Sequence, residues 1–367
     1  MTTFATEPPH AHGSAERTAI LYGNLGTPDS PSVPDVRRFL AEFLSDPRVV
    51  EMPRWLWWPI LHGLILPFRP AKSAAKYASI WTPQGSPLQV WTQRQAQLLA
   101  DCLNRRGHDV TVCHAMRYGS NSVAARLDHL KAAGVSRVLV FPAYPQYSST
   151  TTASLFDAVF EWAGRTRNMP ELRFVKHYHD DPGYISALAR HAVQHWQVRG
   201  RPDVLVVSFH GVPLSTLQAG DPYYCECLKT ARLLAKDLGL SDDQVKVTFQ
   251  SRLGRAQWLQ PYTLPTIIGL AQAGIQRVDV VCPAFVCDCL ETLEEINIEA
   301  RAAFLQAGGR AFHYIGCLND SVAWSGGAMA DIALASMQGW PTRAKACDDD
   351  GPLAASRCAA LAMGAKQ

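Results

Sequence analysis

Val110–Gly119 (VTVCHAMRYG) and Val245–Gly254 (VKVTFQSRLG) align without a gap, sharing a Val-x-Val start, an arginine and a closing glycine. The pairing recurs on both sides of this stretch. Upstream, an early run ends in Leu25-Gly26-Thr27-Pro28 and a later one in His210-Gly211-Val212-Pro213. Downstream, AAGVSRVLVFPAY ending at Tyr144 matches QAGIQRVDVVCPAF ending at Phe285, with one extra residue in the second. Three matches in one order indicate a duplicated unit. Each unit alternates short β-branched runs with amphipathic stretches, the pattern of βαβ units in a parallel sheet. Strands are expected from near Thr18, Asp109, Arg137, Leu172, Asp203, Gln244, Arg277 and Arg310, with helices such as Ser122–Ala133 and Pro261–Ala273 between them. The fold class is α/β: two Rossmann-like domains with parallel sheets, related by pseudo-duplication, with a cleft between them.

The repeat sets the boundaries: a leader over 1–16, a first domain over 17–157, a second over 158–320, and a C-terminal helix with a variable tail over 321–367. It also exposes an insertion. Pro28 to Arg117 is about 50 residues longer than Pro213 to Arg252, and the excess falls at about 45–90. Long additions to an α/β unit are usually functional loops or lids. This one carries Arg54–Arg69 (RWLWWPILHGLILPFR), densely apolar yet shorter than the roughly 20 residues of a membrane span and interrupted by prolines. It reads either as a buried helix-loop or as an exposed lip, its tryptophans and arginines suited to a membrane interface or a flat apolar ligand.

Bulk properties narrow the function. At 367 residues, 47% hydrophobic and 18% charged, the chain has the composition of an ordinary soluble protein of about two domains. A net charge of +3 is too small and too dispersed to argue for nucleic acid. There is neither a P-loop nor a glycine-rich dinucleotide fingerprint, so no nucleotide cofactor is expected. The N-terminus lacks the basic-then-apolar layout of a signal peptide, so a cytoplasmic protein with its ten cysteines reduced is expected.

Ligands of open parallel sheets bind at the carboxyl ends of strands, where all the repeated motifs end. His210 closes the run VLVVSF and suits a general base, since imidazole titrates near neutrality. Asp288, Glu291, Glu295 and Glu299 are spaced to form one acidic stripe on an α-helix, directly after the strand end CPAFV. Such a row offers oxygen ligands to a divalent cation, or a path for protons; the alternative is a solvated face. The first half supplies Arg117, Tyr118, Tyr144, Gln146, Tyr147 and Ser148, suited to an aromatic ligand bearing carboxylates. His177 and His179 resemble a metal pair, but are expected on a strand without an acidic partner and read as structural.

Together the strings NLGTP (Asn24–Pro28), GSPL (Gly85–Leu88), AMRYG (Ala115–Gly119), YPQYS (Tyr144–Ser148), SFHGVP (Ser208–Pro213), FQSRLG (Phe249–Gly254) and DCLETLEE (Asp288–Glu295) closely resemble the ferrochelatase family. They run in family order across residues 18 to 320. The resemblance implies chelatase-type domains pinching a porphyrin, and insertion of Fe2+, a substrate, into protoporphyrin IX to give protohaem. It casts His210 and Glu291 as catalytic and metal-handling, with Asp288 and Glu295 continuing the metal row. Arg117, Tyr118, Tyr144, Ser148 and Thr150 would bind the porphyrin. The Trp55–Phe68 lip would admit it and touch the inner face of the cytoplasmic membrane, the protein being a monomer or weak dimer. The rivals are a related chelatase using another metal or coproporphyrin, and a non-catalytic haem- or porphyrin-binding protein.

The match departs in places. Cys289 stands where animal members have a histidine, and Ser149 where vertebrate members have an iron–sulfur cysteine. A 2Fe–2S cluster of another kind would draw on Cys225 and Cys227, with Cys287, Cys289 and Cys317 as further thiols. Small buried apolar thiols are the alternative.

Overall fold

The β-branched runs form the strands the repeat predicts. In the computed structural model, which describes residues 4–7, 12–252, 254, 256–343 and 351–365, they are β1 (Arg17–Gly26), β2 (Thr111–Tyr118), β3 (Val135–Pro142), β4 (Glu171–Phe174), β5 (Val204–His210), β6 (Val245–Gln250), β7 (Arg277–Val281) and β8 (Ala311–Tyr314). The rest of the predicted leader and tail (1–3, 8–11, 344–350 and 366–367) lies outside the described residues. Two parallel four-stranded sheets result, ordered β2-β1-β3-β4 and β6-β5-β7-β8. Thr18–Gly23 of β1 are buried without interruption, as expected of a parallel strand covered on both faces.

The register tests the duplication residue by residue. Ala19 lies opposite Val138 in the first sheet and Val204 opposite Val278 in the second, equivalent pairs under the repeat. The other edge differs. β1 and β2 stay paired to Gly26 and Tyr118, whereas β5 and β6 stop at His210 and Gln250. Under the motif alignment this is a slip of two residues, which keeps every side chain on its original face. Both motif glycines permit close backbone approach: a Cβ on Gly26 would lie 2.0 Å from the Tyr118 carbonyl oxygen, and one on Gly211 2.7 Å from that of Gln250.

The helices are α1 (Val33–Ser45), α2 (Arg54–Ile60), α3 (Leu66–Ile80), α4 (Pro87–Arg105), α5 (Val123–Ala132), α6 (Ser154–Ala163), α7 (Pro182–Arg199), α8 (Leu214–Gln218), α9 (Tyr223–Leu238), α10 (Thr263–Gln272), α11 (Arg301–Gln306), α12 (Met329–Ser336) and α13 (Gly351–Ala362). Alternation along the strands divides the interior. Ala19, Leu21, Val138 and Val140 face an outer core with α5 and α6; Val204, Val206, Val278 and Val280 face its counterpart with α10 and Phe304. The opposite faces, with Tyr22, Phe141, Leu205 and Phe209, share one central core with residues of α4, α7, α9 and α12. Trp324, fully buried, stacks on Tyr178 there. Residues 321–343 are therefore part of the interior: Thr18 Oγ1 donates to the Pro341 carbonyl, and Arg173 to those of Ser336 and Gln338.

The insertion has its own small core, with Val36, Phe39, Leu61, Leu66 and Tyr77. The predicted interruption by proline does not occur. A π turn at Leu61–Ile65, closed by Leu66 N–H on the Leu61 carbonyl, joins α2 to α3. Pro67 then falls in the first turn of α3, where no donor is needed. The outer face leaves Trp55 and Phe68 each 75% exposed and Leu64 62% exposed, so the lip is open rather than buried. No helix among the described residues is long and apolar enough to cross a membrane.

Candidate active site at the strand ends

His210 is the last residue of β5 and is half-buried. Its Nδ1 lies 2.6 Å from the Gly211 carbonyl oxygen. A carbonyl only accepts, so Nδ1 carries the proton and Nε2 keeps a lone pair. The Tyr223 hydroxyl donates to the His210 carbonyl at 3.0 Å, and the ring sits edge-on to Phe285. Backbone and imidazole are thus both oriented, leaving Nε2 as the basic atom.

The neighbouring strand end holds the carboxylates. Gln250 donates through Nε2 to the Glu291 carbonyl (2.8 Å) and more weakly to Glu295 (3.4 Å), while its Oε1 accepts from Ser208 (2.8 Å). Ser251 then turns into the left-handed region, φ 66°, a conformation costing roughly 1–2 kcal/mol for an L residue. That turn aims its N–H at Glu295 Oε1 (2.7 Å), and its hydroxyl binds the other oxygen. Burial pushes the Glu295 carboxyl above the ordinary carboxylate range, against the pull of the Ser251 bonds and of nearby His210; the Glu291 charge pushes the same way as burial. A carboxyl so placed accepts and returns a proton readily.

The acidic row departs from prediction. Glu291–Ala300 is a π-helix, not an α-helix, so its i→i+5 bonds change which side chains align. Glu295 meets Gln250 and lies near His210, with the Glu291 backbone carbonyl on the same Gln250 amide, but Glu294 and Glu299 turn to Lys76 of α3, at 2.7 and 3.3 Å. Those partly exposed pairs contribute about 0.2–1 kcal/mol each, so they orient the lip more than they stabilise it. Asp288 precedes the helix and is buried, accepting from Tyr314 (2.6 Å), Asn319 (2.7 Å) and Thr292 (3.1 Å). With its oxygens so engaged it supports the turn rather than facing the cleft.

The insertion contributes residues that sequence reasoning missed. Arg69 of α3 lies near Glu291: burial lowers its guanidinium pKa, opposed by the charges of Tyr77 and Glu291. Burial also pushes the Tyr77 phenol up, reinforced by Glu291 and Cys289. Asp46, at the end of α1, accepts from Arg117 (2.7 Å), Tyr118 (2.8 Å) and Ser154 (2.6 Å). Burial raises its pKa, but these bonds, the Arg48 N–H and the Arg117 charge more than offset this and hold it below the ordinary range. The Asp-Pro step after α1 was the available signal, and it reads only as a helix stop.

Of the predicted porphyrin residues, Arg117 and Tyr118 are thus bound to Asp46 and stacked on each other, 4.7 Å from guanidinium carbon to ring centre. Ser148 is buried and caps the π turn Ser149–Ala153, with its hydroxyl near Thr150 (3.0 Å) and Asp221 (3.2 Å). Tyr144 differs: its hydroxyl is buried with no hydrogen-bond partner among the described residues, and Tyr118, Arg117 and Cys287 are its charged or ionisable neighbours. Cys225 and Cys227 do not converge. They lie two apart on α9, the first exposed and the second fully buried, as helical spacing dictates. His177 and His179 lie beyond the end of β4, and an acidic partner faces them: Glu226 Oε1 is 2.6 Å from His177 Nδ1.

The ferrochelatase family profile matches residues 17–336. A relative named ferrochelatase from Methylibium petroleiphilum is 63% identical over 362 residues, 99% of each chain. One of the same name from a Polaromonas species is 62% identical over 367 residues, again 99% of each. Among solved structures, SirB from Bacillus subtilis with Fe3+ superposes with a TM-score of 0.51 at 13% identity, covering 89% of this chain and 100% of that one. That likeness concerns the fold alone.

Proposed function

The chain belongs to the ferrochelatase family, and from that premise we propose how its residues insert ferrous iron into protoporphyrin IX. The reaction must remove two pyrrole N–H protons while the metal enters, and a flat ring hides the nitrogen lone pairs. A site that holds the ring bent resembles the transition state, where binding energy lowers the barrier. The carrying observation is the fixed tautomer of His210 beside the half-buried Glu295 carboxyl. Nε2 takes a pyrrole proton; Glu295, held by Ser251 and Gln250, is placed to receive protons leaving the ring; Glu291 carries the charge that draws in the cation.

The Tyr144 hydroxyl supplies a polar contact to the macrocycle, and Arg69 from the lip supplies a cation for a propionate. The exposed Trp55, Leu64 and Phe68 suit delivery of an apolar porphyrin from a membrane surface, which favours protoporphyrin over a more carboxylated ring. The test is anaerobic metalation with protoporphyrin and coproporphyrin, using ferrous iron, cobalt and zinc. Turnover is expected with protoporphyrin and ferrous iron, and its loss by 10²-fold or more in His210→Ala and Glu291→Gln, about the size of a general acid–base contribution. Unchanged turnover in both variants sinks the assignment.

A further inference from the structure

We propose that His177, His179 and Glu226 form a binding site for one divalent transition-metal cation, separate from the catalytic centre. Their ligand atoms all lie within 4.8 Å of one another. Two ligands each about 2.1 Å from a common ion are at most about 4.2 Å apart, so side-chain shifts of a few tenths of an ångström close the set. Two imidazoles and a carboxylate are the donors that suit iron, zinc or cobalt, and leave further positions open to water.

His179 points most directly to a ligand. It is 5% exposed, and its Nδ1 has no hydrogen-bond partner among the described residues, although Glu226 Oε2 lies 3.3 Å away. Proximity without hydrogen-bond geometry leaves a buried nitrogen that an ion would satisfy. Glu226 is held ready: its residue is 6% exposed and Oε2 accepts the Tyr147 N–H at 2.7 Å, the outer support common to ligating carboxylates. The His177 side chain is 42% exposed and forms the open side. Nearby charge is mixed: Glu226 and Asp180 favour positive charge at His179 and Lys229 works against it, though Lys229 is itself paired with Asp180 at 2.5 Å and Lys176 lies over the Tyr147 ring. The cluster of His195, Asp279 and His313 contrasts with it: Asp279 there already takes Arg277 (3.2 Å) and the Trp196 indole (2.9 Å).

The placement gives the ion a mechanical role. The histidines follow β4 of the first sheet, and Glu226 lies on α9 of the second half, so a bound ion links the two. One turn earlier on α9, Tyr223 donates to the His210 carbonyl. Occupancy therefore steadies the helix that orients the base.

The full chain is titrated with Zn2+, and with Co2+ for its visible bands, beside His177→Ala, His179→Gln and Glu291→Gln. Wild type and Glu291→Gln are expected to hold one equivalent more at this site than either histidine variant. The Co2+ bands of that equivalent should vanish in His177→Ala and persist in Glu291→Gln. Zn2+ should raise the unfolding midpoint of wild type and lose that effect in His177→Ala, whose exposed position spares the fold. Equal stoichiometry and equal Zn2+ shifts in wild type and His177→Ala would overturn the proposal, as would a wild type that binds no ion outside the catalytic centre.

Discussion

At the end of β2, Arg117 and Tyr118 close on Asp46, and Ser154 completes the ring of bonds. At the end of β6, Gln250 and Ser251 close on Glu295 instead. Both strand ends match one repeated motif and both hold a carboxylate, buried at Asp46 and half-buried at Glu295. In the first half burial pushes its pKa up, but the bonds from Ser154, the Arg48 N–H and Tyr118, with the Arg117 charge, bring it below the ordinary range. In the second no cation is bonded to it among the described contacts, and its pKa rises. The same scaffold thus makes an inert brace on one side and a proton-accepting group on the other. The two-residue slip between β5 and β6 helps: the ladder ends early, freeing Ser251 to turn towards Glu295.

This contrast is best broken at its two carboxylates. Glu295→Gln should cut metalation 10²- to 10⁴-fold while leaving the unfolding midpoint nearly unchanged. A midpoint collapse with activity per folded molecule intact would make Glu295 a second brace. Asp46→Ala should do the reverse, costing about 1–3 kcal/mol by denaturant unfolding, because Arg117, Tyr118 and Ser154 lose their shared acceptor. A loss below 1 kcal/mol would show that the ring of bonds is ornamental. Acid sharpens the same point. Since the folded pKa of Asp46 is depressed, its contribution is full above about pH 4, the unfolded value, and is lost as pH falls towards the folded one. Wild type should therefore lose more stability than Asp46→Asn between pH 5 and pH 2.5; parallel curves would contradict this. Smallest is the turn at Ser251. Ser251→Gly and Ser251→Ala both remove the hydroxyl, but only glycine relieves the left-handed backbone, so the glycine variant should be about 1 kcal/mol more stable.

Much of the architecture was legible because repetition is visible without knowing any contact. All eight strands begin within about two residues of the positions read from the sequence, and both sheets share one order. His210 was legible as a strand-end histidine. The acidic row was legible only as spacing, and spacing presumes a helix type. The spacing placed Asp288, Glu291, Glu295 and Glu299 together, whereas Asp288 lies in the turn before the π-helix, bound to Tyr314, and the outer Glu299 pairs with Lys76 from a distant segment. Asp46, Arg69 and Glu226 escaped because their partners are 71 (Arg117), more than 200 and 49 (His177) residues away, and pattern reading sees neighbours along the chain rather than across it. Cys225 and Cys227, two positions apart on one α-helix, point to opposite sides, which their spacing alone implied once the helix was placed.

The central core that runs through both halves has a consequence for how the protein is made. Ile20, Tyr22, Leu139 and Phe141 bury their side chains with Leu205, Val207 and Phe209, which leave the ribosome more than sixty residues later. Trp324 and α12 complete the same layer later still. A nascent first half can finish its outer core against α5 and α6 but must carry an inner face covered only in part, by α4, until the second half emerges. During synthesis it is a client for chaperones, and after truncation an aggregation hazard.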